Sequence, residues 1–597
     1  AASARAMLAM AAAARWNADW RECDARDGFI VLGKRRLGFG ALAGEAAGYG
    51  PPGDPPLRSV RRERPGSAPP GARLRYPRLD LPSKVNGGFQ FAGDVRLPDM
   101  VHAAIRHGPI GDGELSDFEE GAAKRVAGLV GVVKGKRWLA AAATDWWAAE
   151  RALSLLAPRF AVKNRADSNR MEEALDTALR QGDATRLHAA GDPASVFSER
   201  ASLAIRYDVA PALHATLETA SATARLADGR LELWVAAQAP QAARRSAADA
   251  LGLSVNDVVL YPMPAGGSFD RRLEHDHAVE AALIARAIGR PVQLTWSRWQ
   301  EHVAGPPRTP VAALMAARLG PGGEVVGWKA RLALPATARE FGRRLFDGET
   351  AQAAMAASAG EADPLAMEGA VPPYAIPHLA IDHAPAEIGL PTGRMRGNAH
   401  GYAAFFTESF VDELARKAGR EPLSYRMAML GHDLRLAECL QRCAALANWD
   451  GGNDASGQGL ACHVIGNGRI AVIATARRDE NGVRVDRLSA VADIGRIVNL
   501  DIARQQIEGG LVFGMGLALG SSTGYAEGLP AIGRLGELGL PLLADCPRIE
   551  VDFIDSGASP ADPGELGAVA APPAIANALF SATGIRFRRL PLLSEDA

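Results

Sequence analysis

The sequence predicts a mixed α/β, multidomain fold, and three observations lead there. At 597 residues the chain exceeds what one hydrophobic core ordinarily organises, so two to four domains are expected. Short β-rich runs such as RLELWVAAQ (residues 230–238) alternate along the whole length with Ala-rich helical stretches such as AVEAALIARA (278–287). A stretch dense in Pro, Gly and Arg at 49–80 separates a small leading piece from the rest.

Taken in order, residues 1–48 read as an Ala-rich helix, a strand pair around Gly28–Leu37 and a second helix from Ala41. Residues 49–80, with PPGDPP and RRERPGSAPPGAR, read as a solvated linker rather than an arginine-based grip on a partner. From Leu81 to about Val162 comes a compact α/β unit, with a strand in VHAAIRHGPI, a helix over Phe118–Val126, the strand GLVGVVKG and the helix WWAAERALSLLA. Asn164–Val196 is polar and mostly helical. A larger α/β stretch runs from Ala201 to about Gly451, and its best helix, His277–Ala287, is closed by Gly289. Within it, residues 340–372 read as a long, poorly ordered loop, and Phe406–Ala418 as an amphipathic helix. The last section, Gly459–Ala597, alternates strands (RIAVIATARR, VRVDRLSAVAD) with helices at Ile502–Leu519 and Pro573–Thr583.

A net charge of −1 gives no bulk attraction to nucleic acid or to an anionic membrane. No window reaches the ~18 uncharged apolar residues of a membrane span. The opening run AASARAMLAMAAAARW carries Arg5 and Arg15 and reads as a surface helix rather than a signal peptide. It starts without Met and in mid-helix, so a truncated or processed N-terminus is expected, and the compartment, cytoplasmic or periplasmic, stays open. Five cysteines (Cys23, Cys439, Cys443, Cys462, Cys546) form neither a disulfide framework nor a paired metal motif. Cys439 and Cys443, four apart, read as two helical thiols. An all-cysteine iron–sulfur cluster within this chain is therefore excluded.

Four segments could carry chemistry. Gln238 ends a strand just before a helix and offers a donor and an acceptor, although glutamine there is commonly structural. AGGSFDRRLEHDH (265–277) is a glycine turn leading into a helix, a place where backbone N–H groups can face an anionic or oxo group. Its Glu274-His275-Asp276-His277 run resembles a metal set, but neighbours one apart do not share a helix face, so a solvated helix start is expected. In DIGRIVNLDIARQQIEGGLVFGMGLALG (493–520), Gln505, Gln506 and several glycines lie in one helix. Helical glycine costs about 1 kcal/mol against alanine, so either close helix packing or backbone approach to a cofactor is implied. Glu565 sits in a Gly/Pro-rich loop before a buried helix. There it is either an acid offsetting the helix dipole or a carboxylate lifted toward the pKa a general base needs.

In their order and spacing these segments resemble the molybdopterin-binding large subunits of the xanthine dehydrogenase and aldehyde oxidase family, of the isoquinoline 1-oxidoreductase beta-subunit type. Residues 265–298 resemble that family's GGGFGRR loop and helix, and 394–426 its arginine loop. Residues 491–514 resemble its Gly-rich cofactor segment, and 563–584 its GxGE loop. The stretch from 75 to 165 resembles the α/β-hammerhead domain. The domains implied are an N-terminal piece and linker (1–80), the hammerhead (81–165), a first molybdopterin-binding domain (166–455) and the C-terminal part of a second (456–597).

The resemblance implies a hydroxylase acting on an N-heteroaromatic compound or an aldehyde, with water as oxygen source and Glu565 as general base. It implies molybdenum held by molybdopterin, in the cytosine dinucleotide form. Gln238 would stand beside a molybdenum oxo ligand, Gly267 and Phe269 would form the loop over the metal, Ser268 and Arg396, the arginine of its own loop, would bind the cofactor, and Gln506 would contact the pterin dinucleotide. Iron–sulfur clusters would sit only on a small [2Fe–2S] partner subunit, with a cytochrome c as a further acceptor. Two departures stand out. Ser268 and Asp270 replace glycines of the GGGFG loop, which is expected to disturb its positive-φ geometry and to add charge near an anionic cofactor. The GQG turn and Ser/Thr-rich loop that begin this branch are missing. These departures leave a second reading, a cofactor-free remnant or scaffold of the same fold.

Overall fold

A computed structural model describes residues 1–57, 78–111, 113–480 and 482–592; the arginine cluster of the 49–80 linker lies mostly outside them. The chain divides into two compact units, Ala1–Leu74 and Arg75–Ala597.

In the first unit, helix Ala2–Trp16 precedes a three-stranded antiparallel meander and helix Phe39–Ala46. The meander has one strand more than the sequence suggested: Asp24–Arg26, Phe29–Leu32 and Arg35–Gly38. Its first turn is Asp27-Gly28, both at positive φ (49° and 84°), the conformation that joins tightly twisted strands. Ala11, Ala12, Ile30 and Leu42 form the buried centre.

The second unit is built on three larger sheets. The first has seven strands in the order Val258–Pro262, Arg230–Val235, Ser221–Ala227, Val292–Thr295, Val101–His107, Trp138–Ala143, Leu129–Lys134. Strands from the 81–165 stretch and from the 166–455 stretch thus share one sheet, joined where Val101 pairs with Val292 in parallel. The second sheet has six strands, with Val311–Leu319 and Val325–Leu334 at its centre. The third has four, Gln458–Ile465, Gly468–Asp479, Gly482–Asp493 and Arg548–Phe553.

Three long helices fill the largest core. Asn398–Lys417 buries Tyr402, Phe405, Phe406, Phe410 and Leu414, and begins two turns before the expected Phe406. Leu500–Leu519 lies close to its predicted bounds. Leu566–Thr583 carries Pro572 and Pro573 inside it rather than starting at Pro573. This last helix is long and apolar enough to cross a membrane, yet 83% of it is buried within the protein.

The glycine question in Leu500–Leu519 resolves by position. A Cβ on Gly514 would stand 2.7 Å from the Ala568 carbonyl oxygen and 2.9 Å from Ala571 Cβ; one on Gly567 would stand 2.5 Å from the Ile507 oxygen. Close packing against Leu566–Thr583 accounts for these. Gly509 is different: a Cβ there meets nothing within 4 Å.

Other expectations are corrected. Residues 340–372 are not a loop; they hold the end of helix Thr337–Asp347 and helix Ala351–Ser358, the latter capped by the Thr350 hydroxyl accepting the Ala353 N–H. Phe118–Val126 forms turns instead of a helix. Cys439 and Cys443 are indeed buried in one helix, Leu434–Ala447, where burial pushes the Cys443 thiol up to about 12.

Candidate active site

The segments singled out in the sequence converge on Arg396. Its backbone N–H donates to the Phe269 carbonyl (3.2 Å). Its guanidinium donates to the Gly564 carbonyl through Nε (2.8 Å) and Nη2, and to the Gln506 carbonyl (3.1 Å). It also lies over the Phe513 ring, 5.7 Å from the centroid. One residue, through its backbone N–H and its side chain, therefore ties together the 265–277 turn, the Gln506 helix and the Glu565 loop. Charge-assisted bonds of this kind are stronger than neutral ones.

Glu565 is the N-terminal residue flanking helix Leu566–Thr583, half-buried. Its Oε2 accepts the backbone N–H of Gly397. Gly397 itself sits at φ 94°, a conformation glycine adopts freely, which turns that N–H toward the carboxylate. Burial raises the carboxyl above its ordinary range; the Gly397 hydrogen bond works against this, and the nearby Asp270 carboxylate adds to it. A carboxyl so placed can take a proton at near-neutral pH more readily than an exposed one.

The Phe269 ring packs against Phe513 at 4.7 Å between centroids, with the planes tilted by 36°. Phe269 and Asp270 are both at positive φ (53° and 71°), and Gly267 is at 102°. The loop geometry expected to suffer from Asp270 is thus retained with aspartate in the left-handed region. Aspartate tolerates that region better than most residues, at a cost of about 1 kcal/mol. Side-chain contacts hold it there. Gln238 Nε2 donates to Asp270 Oδ1 (3.1 Å), and Arg394 Nε lies 3.6 Å from Oδ2. The added charge is therefore tied to a cation and an amide rather than left free. Ser268 is half-buried, and its carbonyl accepts the Arg271 N–H (2.8 Å).

The expected helix-terminus cradle takes another form. The glycine turn enters a three-residue 3-10 turn, Arg271–Leu273, before helix Asp276–Ile288 begins. The Gly266 N–H donates to the Glu218 carboxylate (2.7 Å), so that donor is already occupied.

Beneath the loop lies a buried ion cluster that no local pattern announces. Arg271 Nε and Arg272 Nη1 each stand 2.9 Å from Glu301 Oε1, and Glu301 Oε2 accepts the Ala220 N–H (2.7 Å). The Arg272 carbonyl in turn accepts the Gln238 N–H (2.8 Å). The Glu274–His277 run is likewise not a solvated helix start. Glu274 pairs with Arg344 (2.6 Å), His275 is buried and bonded to the Ser246 hydroxyl (2.8 Å), and His277 is buried. Its partners come from distant segments, which local spacing cannot show. Among the described residues no cluster of three or more His, Cys, Asp or Glu side chains could hold a metal ion.

Gln505, Gln506 and Gly509 form an exposed face on helix Leu500–Leu519, and the Gln506 amide has no hydrogen-bond partner among the described residues. That face, open above Gly509 and next to Arg396, suits a polar cofactor. Arg394, Gly397 and Phe513 are site residues that sequence reasoning missed. Only Arg394 carried a signal, as the first arginine of RMR.

Two molybdopterin cofactor-binding domain families match the chain, one over residues 179–342 and another over 443–547. The chain is 27% identical over 535 residues to the beta subunit of isoquinoline 1-oxidoreductase from Brevundimonas diminuta, covering 86% of this chain and 67% of that protein. The chain thus carries molybdopterin cofactor-binding domains and resembles the molybdopterin-binding subunits of the xanthine dehydrogenase and aldehyde oxidase family. A second relative, a nicotinate dehydrogenase subunit of Pseudomonas putida, is 27% identical over 560 residues, which cover 87% of this chain and 46% of that protein. The chain thus spans about two thirds of one relative and under half of the other. Quinoline 2-oxidoreductase from Pseudomonas putida 86 shares the fold, with a TM-score of 0.72 at 13% identity over 87% of this chain and 97% of that one.

Proposed function

We propose that this molybdopterin-binding chain is the large subunit of a molybdenum hydroxylase oxidising an N-heteroaromatic compound or an aldehyde with water as oxygen source. The observation that carries the reading is the convergence on Arg396 of the Phe269 loop, the Gln506 helix and the Glu565 loop. The bound group supplies the two-electron oxidation and the oxygen transfer, which protein side chains cannot provide.

The chain's residues do the rest. Glu565 is the general base: Gly397 holds its Oε2, and its Oε1 is the atom that takes the proton. Gln238 presents an amide beside Asp270 at the same loop, and Gly267, Ser268 and Phe269 line the reacting position. The Phe269–Phe513 pair keeps water from that side. Arg396 and the unpaired Gln506 amide hold the pterin, in its cytosine dinucleotide form. The five scattered cysteines of this sequence form no cluster motif, so a small [2Fe–2S] subunit is the proposed electron acceptor and a cytochrome c a further one. The positive-φ geometry at Phe269 and Asp270 favours a working site over a cofactor-free remnant.

The test is co-expression with a small iron–sulfur subunit and with the additional sequence its longer relatives carry, followed by molybdenum and pterin analysis. Near-stoichiometric molybdenum is expected. Glu565→Gln should leave that content unchanged while turnover falls by about 10²–10⁴-fold. A folded protein without molybdenum under every condition would refute the reading; turnover surviving within tenfold would remove Glu565 as the base.

A further inference from the structure

The segment that holds Glu565 through Gly397 also contributes Arg394, Met395 and Asn398 to the wall of a separate cavity of about 230 Å³. A cavity of about 150 Å³ is enough to admit benzene, so this one has room for a single ring with a substituent. Leu365, Met395 and Tyr402 give it apolar surface, and the Tyr402 hydroxyl is already committed to the Ala366 carbonyl.

Arg308 stands in this wall, 6% exposed. Five arginines in the described chain are buried. Arg271 and Arg272 pair with Glu301, Arg344 with Glu274 and Arg426 with Glu408. Arg308 alone of these five has no carboxylate among the described residues. Its Nη2 donates to the Ala210 carbonyl (3.0 Å), while Nε and Nη1 have no hydrogen-bond partner. Glu368, the acidic side chain on the lining, is exposed and makes no ion pair with it. Burial lowers the guanidinium only to about 10, so it is charged at neutral pH. A buried cation with two unmet donors is costly, and a planar carboxylate accepts from a guanidinium through two parallel bonds.

We infer that Arg308 anchors the carboxylate of a small, single-ring ligand in this cavity, a binding site distinct from the proposed reacting position and independent of the hydroxylase reading. Phosphate could also meet a guanidinium, but the single-ring volume and apolar walls suit an aromatic acid better.

The test is calorimetric titration of the purified chain at neutral pH with benzoate, its neutral isostere benzamide, and inorganic phosphate, all without turnover. Benzoate is expected to bind at least about tenfold tighter than benzamide. Arg308→Met should weaken benzoate by about 10–100-fold and leave benzamide unchanged, with Arg308→Lys falling between. Equal affinity for benzoate and benzamide in the unaltered protein would overturn the inference, and this contrast needs no variant to fold. Unchanged benzoate binding in a folded Arg308→Met protein would overturn it equally. Phosphate binding tighter than benzoate and displacing it would replace the carboxylate by a phosphate ligand. Benzoate binding in a chain that takes up no molybdenum would support the pocket and sink only the hydroxylase reading.

Discussion

Glu301→Gln should be among the most destabilising single changes available in the site region. The substitution preserves shape and leaves an amide oxygen able to accept the Ala220 N–H, now at 2.7 Å from Oε2. What it removes is the carboxylate paired with both Arg271 and Arg272, whose side chains are each 2% exposed. The two arginines hold Glu301 well below the usual carboxylate range despite its burial, so the charge is present at every ordinary pH. Breaking a buried pair from one side costs about 3–5 kcal/mol, chiefly because the remaining charge cannot be resolvated. Here two cations would be stranded, which places the expected loss at the upper end. The loss should be local first, since Arg271 and Arg272 follow Asp270 directly and the Arg272 carbonyl holds the Gln238 N–H. Hydrogen-exchange mass spectrometry on peptides spanning 218–222 and 266–273, together with urea unfolding, would read it. A loss under about 1 kcal/mol, or exchange unchanged in those peptides, would mean that the cluster is solvated and does not hold the loop.

Three further outcomes are expected. The carboxylate of Asp270 helps to raise Glu565, so Asp270→Asn should move the acid limb of kcat/KM to lower pH; an unchanged or upward limb would refute their coupling. Gly514→Ala, with a Cβ 2.7 Å from a backbone oxygen, should destabilise by about 1–3 kcal/mol, whereas Gly509→Ala, with open space, should stabilise by about 1 kcal/mol, both read by urea unfolding. His400 and His463, 2.9 Å apart, are pushed by burial down to about 4 and about 3. Their contribution to stability is fully present above about pH 6.5, the unfolded value, and is lost as pH falls toward 4 and below. His463→Gln should flatten the stability–pH curve over that window, and an unchanged slope would show that burial does not hold His463 neutral in the folded protein.

What was legible in the sequence was local or periodic. The Asp27-Gly28 turn, the helix closed by Gly289 and the helix bearing Gln506 all announce themselves within a dozen residues, because turn chemistry and apolar spacing are properties of neighbours. The candidate site residues were singled out as members of motifs, and Gln238, Phe269, Arg396, Gln506 and Glu565 lie along one connected set of contacts. The buried charge partners were not legible. Glu301 under Arg271, and Arg344 against Glu274, are joined by tertiary packing, and a charged run reads as solvated until its counter-ions are seen. Residues 340–372 were misread for a related reason: short Ala-rich helices with little apolar contrast depend on packing rather than on amphipathic pattern.

The seven-stranded sheet has a bearing on how the chain comes to be folded. Val101–His107 takes its place between Trp138–Ala143, which follows it closely, and Val292–Thr295, which does not exist until much later in synthesis. Until Val292 emerges from the ribosome, the earlier strands present an apolar, unsatisfied edge of the kind that recruits other chains. Assembly through so distant a parallel pairing is intrinsically slow. Production of this protein should therefore depend on chaperone capacity and slow translation, and fragments ending before residue 292 should aggregate rather than fold.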